Sequence, residues 1–119
     1  MMIEVSHGEI VDKLTILSIK LDRITDSTKL NNIKKEYEYL LNIVINDLGV
    51  SIDSDEYQEL LSLNKKIWDS EDMVRVATND VDYLNQSKIS HENNQKRYKI
   101  KQKINNIYKS NFVEEKNYE

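Results

Sequence analysis

The sequence predicts an all-α fold of four helices in two antiparallel hairpins, bundle-like, with residues 1–119 forming a single helical domain. Three observations carry this. The chain holds no proline and two glycines, so little interrupts a long helix. Leucine and isoleucine recur at spacings of three and four, the period of one helical face. Side chains able to bond the free N–H groups of a first turn stand where helices should begin.

The first helix opens at Ser6-His7-Gly8-Glu9, a Ser-x-x-Glu capping box. Ile10, Leu14, Leu17, Leu21 and Ile24 then share one face, within about 80° at about 100° per residue. Thr25-Asp26-Ser27 ends it and can cap the next. The second helix covers about residues 28–48, with Leu30, Ile33, Tyr37, Leu40, Leu41, Val44 and Leu48 on one side and Gly49 as a stop. A turn at 50–53 follows, and Asp53 with Glu56 offers another capping pair. The third helix runs from about 54 to 78 along Leu60, Leu63, Ile67 and Val74, with Trp68 on the margin. Residues 79–90 are polar and read either as a frayed extension of that helix or as a loop. Ser90 is the expected cap of the fourth helix, about 90–109, with Ile100, Ile104, Ile107 and Tyr108 inward.

Composition narrows the function. Without cysteine there is no disulfide, thiolate metal site or thiol nucleophile, which suits a cytoplasmic setting. Met1 to Glu9 lacks the basic and apolar regions of a signal peptide, and the apolar run Ile43 to Ile45 stops at Asn46-Asp47, far short of a membrane span. Net charge is −4 and unevenly spread: residues 46–82 carry 10 acids and 3 bases, residues 83–109 carry 7 bases and 1 acid. A basic helix beside an acidic one implies that the two pack together. The overall acidity and the lack of interleaved aromatics argue against nucleic acid as a partner. No HExxH, glycine-rich phosphate loop, acidic calcium loop or Ser/His/Asp set is present, so no metal and no cofactor is expected. His7 and His91 read as capping or surface residues.

Chemistry concentrates where charge falls on apolar stripes. With Leu60 at zero, Glu71 lies at about 20° and Arg75 at about 60°, inside the arc of the third helix. With Ile100 at zero, Asn93 lies at about 20° and Arg97 at about 60° in the fourth. Glu9, Lys13, Ile16 and Lys20 form a second row on the first helix. There Glu9–Lys13 makes an i,i+4 pair, or Lys13 and Lys20 face a pocket. Ions are costly to bury unpaired, so the inward set forms either a structural ion network or a polar site. One carboxylate among several bases suits an anionic ligand, held by Lys13, Lys20, Glu71, Arg75, Asn93 and Arg97.

The string Gly8-Glu9-Ile10-Val11-Asp12-Lys13-Leu14-Thr15-Ile16-Leu17 resembles the opening of an uncharacterised family of small proteins and domains from bacteria and their phages. The likeness continues through Ile67-Trp68 with Glu71-Asp72 and Arg75. It extends through Asn93 or Asn94 with Arg97, Ile100-Lys101 with Ile104-Asn105, and Val113-Glu114-Glu115-Lys116 with Tyr118. It implies that the tail 110–119, which has no helical period, is an ordered part of the fold. Some members of that family accompany surface-polysaccharide proteins, which implies a sugar phosphate or nucleotide sugar as the anionic small molecule. Three readings stand: a binding module with an inter-helix polar pocket, an enzyme of chorismate-mutase-like helical type on the same residues, or a structural protein acting through a surface or as a homodimer.

Overall fold

A computed structural model describes residues 5–109. Its elements are α1 (His7–Arg23), α2 (Ser27–Asn42) continuing into a π-helical turn (Ile43–Asp47), α3 (Asp55–Val76) and α4 (Asp80–Ile107). No strand occurs among the described residues. Short connections at 24–26 and 77–79 fold α1 with α2 and α3 with α4 into two antiparallel hairpins. The tail expected to be ordered, 110–119, lies outside the described residues.

Each helix start has a side-chain acceptor. Ser6 Oγ accepts from Glu9 N–H at 3.3 Å, and Asp26 Oδ1 from Lys29 N–H at 3.0 Å. For α3 the cap is Ser54, accepting from Tyr57 N–H, one residue beyond the expected Asp53. For α4 it is Asn79, whose Oδ1 accepts from Asp82 N–H at 2.8 Å. The segment 79–90 is therefore the opening of α4, which begins ten residues before Ser90. Asp80 and Asp82 in its first turn complement the partial positive charge of the helix end. Propensity and capping build those turns without an apolar stripe, which is why periodicity missed them.

The π turn closes α2 through Leu48 N–H to Ile43 C=O and Val50 N–H to Val44 C=O, each at 3.0 Å. Gly49 follows at φ +72°, a left-handed conformation that costs other L-residues about 1–2 kcal/mol. It turns the chain so that Val50 enters the core. Val11, Leu14, Val44, Val50, Tyr57, Leu60 and Ile104 form that core, with side chains from all four helices packed in or against it.

Tyr57 is almost fully buried, and desolvation pushes its phenol up to about 12, with Tyr37 adding to the shift. The folded state thus holds this proton more tightly than the unfolded chain does. Its contribution to stability is complete below about pH 10 and is lost as pH rises towards about 12. Urea midpoints should fall across that window in the native chain and fall less in Tyr57→Phe.

Candidate functional site

The polar centre of the protein is a seam between α1 and α4. On α1, Gly8, Asp12 and Thr15 are buried at spacings of four and three. On α4, Asn93, Arg97, Lys101 and Asn105 recur every four residues, with Asn93, Lys101 and Asn105 buried. The helices run antiparallel, so Gly8 meets Asn105 and Asp12 meets Arg97.

Asp12 is 3% exposed, and its carboxylate is fully engaged. Arg97 grips it with both arms of its fork, Nε donating to Oδ1 at 2.8 Å and Nη2 donating to Oδ2. Asn64 of α3 donates from Nδ2 to the same Oδ1 at 2.9 Å and to Thr15 Oγ1 at 2.7 Å. The Thr15 hydroxyl donates in turn to the Asp12 backbone carbonyl at 2.6 Å. Arg97 Nη1 also donates to Asn94 Oδ1 at 3.3 Å. One turn away, the buried Lys101 Nζ donates to Glu9 Oε1 at 2.8 Å. At the end of the seam, Gly8 N–H donates to Asn105 Oδ1 at 2.7 Å, while Asn105 Nδ2 is buried without a partner. A Cβ on Gly8 would lie 2.5 Å from the Lys101 carbonyl oxygen, so only glycine permits this crossing.

The expected site residues divide. Asn93 is buried and Arg97 half-buried, both inward as periodicity predicted. Glu71 and Arg75 are exposed, which corrects the expectation that they face the interior. The physical reason is the length of α1. It ends at Arg23, which ion-pairs with Asp69, so the turns of α3 beyond that point run past the end of α1. Arg75 pairs with Asp72 on its own helix. Lys13 pairs neither with Glu9 nor with a pocket; its Nζ lies 2.9 Å from Glu36 of α2, and both side chains are largely exposed. Lys13→Ala should therefore cost less than about 1 kcal/mol in chemical denaturation. Lys20 is half-buried in the last turn of α1, where a cation suits the helix end.

Glu71 and Arg97 nonetheless border one cleft, of about 170 Å³, with Asn64 and Trp68 and apolar walls from Ile16, Ile19 and Ile67. Its lining carries one carboxylate, Glu71, and one guanidinium, Arg97, which Asp12 already engages. The site residues expected from the sequence did not include Asp12, Thr15, Asn64, Lys101 or Asn105. The signal was present in the four-residue ladder on α4 and in the spacing of Gly8, Asp12 and Thr15 on α1.

A second surface stands out at the free end of the α3–α4 hairpin. Here the covered or half-covered side chains are mostly polar, Ser70, Asp72, Gln86, Ser87, Ser90 and Asn93, with Val74 and Ala77 among them. Large apolar side chains are turned to solvent there among charged ones such as Asp80, Asp82 and Lys88, with Met73 at 52% exposure, Val76 and Val81 at 67%, and Leu84 at 64%. Tyr83 and Ile89 are exposed as well. Among the described residues no group of three or more His, Asp or Glu side chains is placed to hold a metal ion, and no helix is long and apolar enough to cross a membrane.

A family model described as a family of unknown function, DUF6165, matches residues 1–119. No curated protein and no solved structure matches the chain.

Proposed function

For this chain, which belongs to the DUF6165 family of unknown function, we propose a role as a helical interaction module. The α1–α4 seam holds the helices in fixed register, and the tip of the α3–α4 hairpin docks another polypeptide. The observation that carries the reading is the set of large apolar side chains that the tip leaves exposed. A hairpin evolved to stand alone in water would put Val81 and Leu84 against α3; here both are exposed while Ser87 and Ser90 are half-covered.

At the cleft beside Arg97, charge balance favours this over an anion site; Lys66, Lys96 and Lys99 line a separate cleft of about 390 Å³ with Glu59. Binding a sugar phosphate or nucleotide sugar needs positive charge in excess. Instead Arg97 is matched by Asp12, Lys101 by Glu9, Lys13 by Glu36 and Arg75 by Asp72. The cleft beside Arg97, at about 170 Å³, also falls below the roughly 300 Å³ at which pockets for drug-sized ligands begin. The bidentate pair and its satisfied partners are what a rigid scaffold requires, and the module reading gives them no catalytic part.

The test places a photo-crosslinking amino acid at position 81 of the tip, or at position 35 on the exposed polar face of α2, in cells producing the full chain. Covalent polypeptide adducts should form from position 81, disappear when Leu84→Glu is added, and be absent from position 35. Equal labelling at both positions, or none at position 81, would overturn the reading.

A further inference from the structure

We infer that the occupant of the tip is a second copy of this chain, bound across a two-fold axis at Leu84; this rests on the module reading above. The argument is the charge order along α4. Asp80 and Lys88 lie four residues before and four residues after Leu84. At about 100° per residue both fall within about 40° of Leu84 on the helix surface, and Val81 within about 60°. All four residues are exposed.

Two copies of α4 crossing antiparallel at Leu84 satisfy this surface with itself. Leu84 packs on its counterpart, and each Asp80 meets Lys88 of the partner subunit. The symmetry repeats the ion pair on both sides of the axis, as an isologous contact requires. A parallel pairing would instead set Asp80 against Asp80 and Lys88 against Lys88, so the surface selects the antiparallel partner. Met73 and Val76 of α3 flank the same free end and extend the apolar area. The contact is confined to helix tips, smaller than the roughly 1,600 Å² of a standard interface, so the association is concentration-dependent rather than obligate.

Sedimentation equilibrium of the full chain, from micromolar to about millimolar, reads this directly. The wild type should pass from monomer to dimer. Leu84→Glu should remain monomeric. Lys88→Asp, which sets carboxylate against carboxylate, should weaken dimerisation at least about tenfold, as should Asp80→Lys. Combining Asp80→Lys with Lys88→Asp exchanges the two signs and should restore affinity to within about threefold. Far-UV circular dichroism should be unchanged throughout, and urea midpoints of the monomer should fall only slightly, chiefly where Asp80→Lys puts a cation at the start of α4.

A wild type that stays monomeric across the whole range overturns self-pairing, and so does a charge exchange as weak as its single variants. The crosslinking experiment separates the two levels of inference. Adducts at the mass of two chains support self-pairing. Adducts of another mass, in a chain that does not dimerise, overturn it and leave the module reading standing. No adduct at all removes both.

Discussion

Arg97→Leu is expected to lower the unfolding free energy by about 3–5 kcal/mol, enough to leave a chain of this size marginally folded. The substitution removes both arms of the fork that holds Asp12, and that carboxylate is 3% exposed. Asn64 alone cannot compensate, since its Nδ2 is already shared between Asp12 and Thr15. The loss comes chiefly from the uncompensated charge and only partly from the broken attraction. A second measurement follows from that distinction. Asp12→Leu combined with Arg97→Met replaces the pair by apolar groups and should recover most of the stability, because desolvating the ions no longer has to be offset. Urea denaturation of the two single variants and the double gives the coupling energy. A loss below about 1 kcal/mol for Arg97→Leu would mean that the seam does not hold α1 to α4.

Gly8→Ala should destabilise by about 1–3 kcal/mol, and its sign is informative because helix propensity points the other way. Gly8 stands in the first turn of α1, where an alanine in open space would add up to about 1 kcal/mol of stability. The new methyl would instead meet the Lys101 carbonyl oxygen at 2.5 Å, and a backbone atom cannot rotate aside as a flexible side chain can. The helices must separate, lengthening the Gly8–Asn105 bond and disturbing the Asp12–Arg97 fork further along. Amide exchange should quicken at the amino-terminal turns of α1 before it does in α3. A stabilising Gly8→Ala would show that the two helices can part without loss.

The helices were legible because leucine and isoleucine spacing reports directly on which face is dry. Ser6 and Asp26 likewise marked their helix starts. The polar centre was half legible. Asn93 and Arg97 were visible because they interrupt the stripe leading to Ile100. Asp12 and Thr15 lie about 160° and 140° from Ile10, on the face opposite the stripe of α1, so one-dimensional periodicity counted them as surface. Which flank of a helix is covered depends on where its neighbours lie, and no single helix encodes that. Glu71 and Arg75 failed for a related reason. Their angular position continues that of Leu60, but periodicity cannot say where α1 stops. Asn64 lies about 40° from Leu60, within the arc of α3, yet its bond to Asp12 spans 52 positions of sequence.

The four-residue repeat of polar groups on α4 raises a problem of slippage that charge alone does not solve. Were α1 displaced by one turn, Asp12 would come opposite Lys101 and find an equally attractive cation. The notch at Gly8 breaks this degeneracy. Only a residue without a β-carbon fits against the Lys101 carbonyl, so a displaced α1 would bring a bulkier side chain into collision there. Shape therefore picks the alignment, and the ions then fasten it.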